Sequence, residues 1–296
     1  MSPAPPTLPA AVSGQRFEFD SPAGRLSCYV AGEGAPLLLV HSVNAAASAA
    51  EVRPLYEAYR ATRTVYAIDL PGYGFSDRSE RLYTPRLMTD ALHAVVAQIQ
   101  SRHGPAPLDA LAASLACEFL ARAALEVPAS FRRLALVSPT GFSGSKRRRG
   151  APGSTLYLAG LHRALKGPGW GGALFRGLTR PGVIRFFLRK TWGSRDIDEA
   201  LWAYDVVTTR QPGAEHAPLC FLSAAMFSKD INDVYEKLGL PVWMSHGVRG
   251  DFTDYRGKST VAGRPNWTIT VFQSGAMPYF DQAQAFQAAF DAFLAG

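Results

Sequence analysis

The sequence predicts a doubly wound α/β fold, with a mostly parallel sheet and one helical insertion. Three observations support this class. Continuous apolar runs such as APLLLVHS, at residues 35–42, are typical of strands buried on both faces of a parallel sheet. These runs alternate with helical segments over the first half of the chain. The alternation stops near Thr140 and resumes near Leu240, which indicates a block of helices inserted between two strands.

The elements follow in order from the N-terminus. Residues 1–14 contain four prolines and no basic residue, which predicts a disordered lead and not a secretory signal. Residues 16–31 alternate around a Ser-Pro-Ala-Gly turn, a pattern typical of an antiparallel hairpin. The strands that follow are predicted at 35–41, 64–70, 132–139, 240–247 and 266–275, and helices at about 49–60, 84–102 and 281–294. Residues 108–128 are predicted to form a further buried strand, a tight turn at 112–116 and an apolar helix.

Two structural parts follow from this pattern. Residues 15–140 and 238–296 are predicted to form one α/β core, and residues 141–237 a helical cap inserted into it. The chain has 296 residues, of which 47% are hydrophobic, enough to bury a sizeable core. No apolar run has the length of a membrane-spanning helix.

The predicted cap is strongly basic. The chain carries a net charge of +7, and twelve Lys or Arg residues lie between Phe142 and Arg195 with no Asp or Glu among them. No nucleic-acid-binding motif accompanies this charge, so we expect no nucleic-acid partner. Aromatic and aliphatic residues alternate with the arginines. This mixture suits either an ordinary solvated face or a cap that covers an apolar substrate and makes weak contact with an anionic membrane surface.

The cysteines and glycines argue against several cofactors and compartments. Cys28, Cys117 and Cys220 are odd in number and scattered, without the spacing of a metal site or a disulfide framework. A reduced, cytoplasmic setting is the inference. No G-x-G-x-x-G follows the first buried strand, and no His or Cys ligands cluster, so no metal, nucleotide or flavin cofactor is expected.

The stretch from Leu108 to Pro128 (LDALAASLACEFLARAALEVP) contains the candidate nucleophile. It indicates a buried strand, a tight turn of small residues around Ser114, and an apolar helix. A serine at such a turn suits a nucleophile elbow, which holds Oγ at the edge of a sheet. Serine also favours the first position of a helix as an N-cap, which is the structural alternative.

Several motifs occur in one order and at suitable spacings: LLLVHS, DLPGYGFSD, the turn at Ser114, the inserted helices and LPVWMSHGVRGD. Together they resemble the α/β-hydrolase superfamily, especially its capped esterase, lyase and C–C hydrolase-like members. The resemblance covers about residues 15–295. It implies the α/β-hydrolase fold, a cap over the active site, and a nucleophile, an acid and a histidine base in that order along the chain.

Carried onto this sequence, the resemblance makes Ser114 the nucleophile. It also implies that the N–H groups of Val43 and Leu115 form the oxyanion hole, a contribution typically worth a few kcal/mol. His41 is then a structural group beneath the oxyanion loop. Ala112 and Ala116 stand where the family motif has glycine, and both keep the turn small.

The acid and the base depart from the family pattern. Asp251 is the best candidate for the acid although it lies one residue late, and Asp254 is the reserve. Family members carry Gly-His after the last strand, whereas this chain has Gly275-Ala276 and no histidine after His246. Because a serine without a base is a weak nucleophile at neutral pH, a displaced base is considered at His216 or His246.

Two classes of function remain open from the sequence. The first is a serine hydrolase that acts on an ester-like, small apolar substrate, with a displaced or missing base. The second is a non-hydrolytic ligand-binding or regulatory protein, or a cofactor-free lyase, on a degenerate hydrolase scaffold. In both cases the partner is a small apolar molecule or acyl ester, held beneath the cap.

Overall fold

A computed structural model describes residues 5–144, 147–167, 170–250 and 252–296. Its centre is one sheet of eight strands in the order β1-β2-β4-β3-β5-β6-β7-β8. Strand β2 runs antiparallel to β1 and β4, and all other neighbours are parallel. The strands are β1 (Gln15–Ser21), β2 (Gly24–Ala31), β3 (Pro36–Val40), β4 (Thr64–Asp69), β5 (Leu108–Ala113), β6 (Phe131–Val137), β7 (Val242–Gly247) and β8 (Trp267–Phe272). This sheet confirms the predicted doubly wound, mostly parallel fold.

The central strands are buried along their whole length, as the continuous apolar runs predict. Every residue of β4 and β5 is buried, because helices cover both faces of a parallel sheet. The α-helices of the core are α1 (Arg53–Tyr59), α2 (Pro85–His103), α3 (Ala116–Glu126), α10 (Pro278–Asp281) and α11 (Ala283–Ala295). None of the described helices has the length and hydropathy needed to cross a membrane.

Six further helices separate β6 from β7. They are α4 (Ala159–Leu165), α5 (Gly171–Leu178), α6 (Pro181–Trp192), α7 (Glu199–Thr208), α8 (His216–Leu222) and α9 (Ile231–Lys237). Helix α9 packs against α3 of the core, with Ile231, Val234 and Tyr235 buried. We therefore use the word cap for helices α4–α8, which approach the end of the sheet where Ser114 lies.

The N-terminal segment differs from the disordered lead predicted for residues 1–14. Within its described part, Leu8, Ala11 and Val12 are buried in the same apolar cluster as Tyr29 and Tyr56. The N–H of Ala11 donates to Tyr29 Oη at 3.2 Å. Proline-rich composition indicates disorder, but these three apolar side chains pack against an apolar surface of the core. Their burial stabilises one conformation of the segment.

The end of α6 contacts the loops after β7 and β8 through closely packed backbone at two glycines. A Cβ atom on Gly250 would collide with Gly193 N, and one on Gly275 would collide with the carbonyl of Thr191. Next to this contact, the N–H of Ala276 donates to Thr191 O at 2.8 Å. We call this contact the glycine seam. It fixes one end of the cap to the edge of the sheet.

Candidate functional site

Ser114 occupies the sharp turn between β5 and α3. Its φ of 53° is left-handed, a conformation that costs a residue with a side chain about 1–3 kcal/mol. The N–H of Ser114 donates to Val137 O at 2.8 Å, and Cys117 Sγ donates to Ala112 O at 3.1 Å. Ala112 and Ala116 are fully buried on either side. These contacts hold the strained turn, and the arrangement matches the geometry of a nucleophile elbow.

Ser114 lines a cavity of about 480 Å³ between the sheet edge and the cap. This is the volume range of small-molecule sites. The cap contributes a set of apolar side chains to the lining: Phe175, Leu178, Ile184, Phe187, Leu188, Pro218, Phe221 and Leu222. The sheet edge supplies the more polar part of the lining, including Ser42, Asn44, Ser114 and Thr140. A mostly apolar molecule with a polar end fits such a cavity.

The loop after β3 also reaches the cavity, and a buried carboxylate holds it. The N–H of Ser42 donates to Glu51 Oε2 at 2.7 Å, and Asn44 Nδ2 donates to Oε1 at 2.6 Å. Val43 and Leu115 line the cavity beside Ser114, and none of the described hydrogen bonds uses the N–H of either residue. Both amides are therefore available to a ligand oxygen.

His41 is buried beneath this loop and does not line the cavity. The N–H of Leu70 donates to His41 Nε2 at 2.9 Å, so Nδ1 carries the proton and donates to Ser42 O at 2.6 Å. Burial lowers the pKa of His41 to about 4, although the bond to Ser42 opposes this shift. A neutral imidazole with both nitrogens engaged fixes the loop and has no free nitrogen for Ser114.

The structure does not bring His246 to Ser114. His246 is the penultimate residue of β7, outside the cavity lining. Lys258 Nζ donates to its Nε2 at 3.0 Å, and its Nδ1 donates to Gly247 O at 2.7 Å. Its ring stacks on Tyr255 with centroids 3.9 Å apart. Burial, and secondarily the Lys258 charge, lower the pKa of His246. Its acceptor nitrogen is occupied.

His216 also lies away from the cavity lining. It begins α8 and is half-buried, close enough to the exposed Glu80 for an electrostatic interaction. Its neighbour two residues along, Pro218, does line the cavity. The helix therefore turns the imidazole of His216 to a different side from the residues that face Ser114.

Ala276 stands at the cavity wall, at the position where the resemblance expects histidine. Its backbone is held on both sides: the N–H is part of the glycine seam, and its carbonyl accepts from Ser138 Oγ at 2.7 Å. Within the described residues, the cavity lining contains no histidine, and Ser114 Oγ has no hydrogen-bond partner.

The candidate acid lies outside the described residues, since Asp251 is not among them. The reserve candidate, Asp254, accepts from the N–H of Gly144 at 2.7 Å and from Arg256 Nε at 2.7 Å. These two bonds, with the bond from the N–H of Arg256, hold the pKa of Asp254 below its usual range. Asp254 is not part of the cavity lining.

One carboxyl in the cavity was missed by the sequence reasoning. Asp205 lies on α7 in the apolar stretch EALWAYDVVT and is 3% exposed. It lines the cavity. Burial, reinforced by the nearby Glu51, raises the pKa of Asp205 well above its usual range. The signal available in the sequence was a single acidic residue among apolar ones in a segment predicted to be cap.

The described parts of the chain contain no set of side chains that could bind a metal ion. There, no three His, Cys, Asp or Glu side chains converge in a way that would hold an ion. The polar groups at the cavity include Ser114, the amides of Val43 and Leu115, the carboxyl of Asp205 and the guanidinium of Arg148.

Comparison with known proteins extends the resemblance. A search of curated proteins found no match to the sequence. Residues 35–164 match a family model described as alpha/beta hydrolase fold.

Solved structures match over almost the whole chain. The epoxide hydrolase CorEH shares 21% identity over 95% of this chain and 98% of its own, with a TM-score of 0.74. An enol-lactonase from Burkholderia xenovorans shares 16% identity over 95% and 100%, with a TM-score of 0.68. The carboxylesterase CesB from Bacillus subtilis shares 15% identity over 95% and 92%, with a TM-score of 0.69. At these identities the likeness concerns the fold. The chain thus matches this family model over residues 35–164, and over almost its whole length it has the α/β-hydrolase fold of these solved structures.

Proposed function

We propose that the protein is a hydrolase of ester-like small molecules with mostly apolar bodies, and that Ser114 is its nucleophile. One observation carries the proposal: a residue other than glycine is held at a φ of 53° in the β5–α3 turn, and its side chain lines an apolar cavity. Backbone strain of this kind persists only where surrounding contacts enforce it, and it is frequent at active sites.

The oxyanion would be stabilised by backbone amides. When Ser114 Oγ attacks a carbonyl carbon, negative charge develops on the carbonyl oxygen. The unused N–H groups of Val43 and Leu115 would donate to this oxygen in a cavity whose lining is largely apolar. The loop that carries Val43 is fixed by Glu51 and His41, so these donors are organised before the substrate arrives.

Proton transfer is the weak step of this mechanism. The hydroxyl proton of Ser114 needs an acceptor, and no described histidine lines the cavity. A serine site that lacks a triad member retains about 10³–10⁴-fold acceleration over water from its oxyanion hole and substrate binding. We therefore expect slow turnover, and fastest reaction with activated esters whose leaving group needs no protonation.

A second candidate, a binding protein without turnover, is favoured by Ala276. This residue replaces the expected base at the cavity wall, while the rest of the cavity is retained. Such a site would hold a carbonyl-bearing apolar molecule against Ser114 without cleaving it. The names of the similar structures, an epoxide hydrolase, an enol-lactonase and a carboxylesterase, give more support to the hydrolytic candidate.

A fluorophosphonate probe separates the two candidates. The hydrolase proposal expects covalent labelling of the folded wild-type protein, with loss of labelling in Ser114→Ala. Ser143→Ala is the matched control, because Ser143 also lines the cavity but lies outside the elbow. If excess probe labels neither the wild type nor the control, while apolar ketones raise the unfolding midpoint, the binding candidate replaces the hydrolase.

A further inference from the structure

Ser114 and Asp205 are polar side chains of the cavity for which the described structure shows no hydrogen-bond partner. Asp205 is the more unusual because it is a carboxyl buried to 97%, its exposed fraction being 3%. Its Oδ1 is fully buried without a hydrogen bond, and none of the described hydrogen bonds reaches its other carboxyl oxygen. An unsatisfied buried polar group destabilises the fold, and a native structure that retains one calls for an explanation.

The charged groups described around Asp205 give its carboxyl no ion-pair partner. Arg53 is the nearby cation, but its Nη2 is bound to Asp198 Oδ1 at 2.8 Å. Glu51 acts on the pKa of Asp205 in the opposite direction to Arg53, and its own oxygens accept from Ser42 and Asn44. None of the described ion pairs includes Asp205.

The surroundings of Asp205 favour its protonated, neutral form. Burial and the Glu51 charge both raise its pKa, and the Arg53 charge opposes them only in part. A protonated carboxyl both donates and accepts hydrogen bonds. On α7 it faces the same cavity as Ser114, but from the cap and not from the sheet.

We propose that Asp205 is a ligand-binding residue, whose carboxyl hydrogen-bonds to a neutral oxygen, a hydroxyl or a ketone, on the molecule held in the cavity. The inference rests on the proposed binding of a small apolar molecule at this site and defines its class further. The ligand is an oxygenated apolar compound with a polar group at its cap end, in addition to any carbonyl near Ser114.

The surroundings disfavour an amine as the ligand group. An ammonium ion would have to lose its hydration in a cavity lined mainly by aromatic and aliphatic side chains. It would also have to ionise Asp205 beside Glu51. A hydroxyl or ketone requires neither the dehydration of an ion nor the ionisation of Asp205, because it hydrogen-bonds to the neutral carboxyl.

Binding of three matched probes tests the proposal: 3-phenyl-1-propanol, 3-phenylpropylamine and propylbenzene. Titration calorimetry at pH 7 compares the wild type with Asp205→Leu and Asp205→Asn. The alcohol should bind about five- to tenfold more weakly to Asp205→Leu, which removes the hydrogen bond. It should bind to Asp205→Asn within about threefold of the wild type, because the amide keeps a donor and an acceptor. Propylbenzene should bind all three proteins alike.

Three outcomes overturn the inference. Equal weakening of the alcohol and propylbenzene in Asp205→Leu would mean that the residue only shapes the cavity. Tighter binding of the amine than of the alcohol to the wild type would mean that Asp205 is an anionic site. Absence of binding by all three probes would remove the small-molecule site itself.

A stability measurement supplies a test that needs no ligand. If Asp205 contributes to ligand binding and not to stability, its unsatisfied buried carboxyl destabilises the folded protein. Asp205→Leu should then raise the temperature of the unfolding midpoint by about 2–4 °C. A fall in the midpoint would assign Asp205 to the fold and overturn the inference. Neither measurement involves attack by Ser114, so a failure of probe labelling at Ser114 would refute the hydrolase proposal and leave these results standing.

Discussion

Restoring a base at position 276 is the most direct perturbation of this site. Ala276 lines the cavity with Ser114, and both its backbone groups are fixed by hydrogen bonds. The backbone should therefore not move in Ala276→His, and the imidazole should extend into the cavity where the methyl group already points. We expect this variant to hydrolyse activated esters faster than the wild type.

The size of the gain follows from the roles of a base. A well-positioned general base contributes about 10²–10⁴-fold, equivalent to about 3–5 kcal/mol of transition-state stabilisation. The described residues place no carboxylate where it would orient the new imidazole, which lowers the gain towards about 10²-fold. The gain should appear as the pH rises through about 6.5, where an unperturbed imidazole loses its proton.

The assay is kcat/KM for p-nitrophenyl butyrate between pH 5 and 8. Ala276→Gln is the matched control, since glutamine fills similar space but is no base at these pH values. The double variant Ala276→His with Ser114→Ala tests whether the new activity needs the serine. If folded Ala276→His is no faster than Ala276→Gln at pH 8, position 276 does not face Ser114 in a catalytic geometry. The reasoning about the missing base is then refuted.

Three further predictions concern strain, pH and surface contact. Ser114→Gly should raise the free energy of unfolding by about 1 kcal/mol in urea titrations, because glycine adopts a φ of 53° without strain; an unchanged or lower value would show that the turn is unstrained. His41 stays neutral in the folded protein down to about pH 4, whereas the unfolded chain protonates near 6.5, so wild-type stability should fall as the pH drops from 6.5 towards 4. The His41→Gln variant should lack this pH dependence, which amounts to a change in unfolding free energy on the order of 3 kcal/mol over that range. An equal slope of unfolding free energy against pH in both proteins would contradict a neutral, buried His41. Phe186 and Phe187 are exposed beside Arg189 and Lys190 on α6. We therefore expect the protein to sediment with anionic but not with neutral vesicles, and the Phe186→Ser variant to sediment less with the anionic ones. Equal recovery of the protein with both vesicle types would contradict the membrane contact.

The fold was largely predictable because its strongest signals are local. Continuous apolar runs gave the positions of β3, β4 and β5 to within a residue or two. Boundaries were less accurate where packing decides them. The helix predicted at 281–294 begins two residues later, as α11, and a separate short helix, α10, precedes it. Burial of Leu8 depends on a surface supplied by distant parts of the chain, which composition alone does not reveal.

The site was predictable where a motif fixes the backbone. Small residues around Ser114 predict a sharp turn, and the position of Ala276 follows from the end of the last strand. The direction in which His216 faces depends on how α8 docks on the core, and no local pattern encodes this. Asp205 was missed for the same reason, because the burial of a cap carboxyl is set by the helices and loops that surround it.

The glycine seam has a consequence for the shape of the cavity. At Gly250 and Gly275 there is no room for a Cβ atom between the backbones of cap and core, so a side chain at either position would push the two apart. Ala276 is bound at this contact through its N–H to Thr191 O and also lines the cavity. The width of the cavity beside Ala276 therefore depends on two residues that have no side chain of their own.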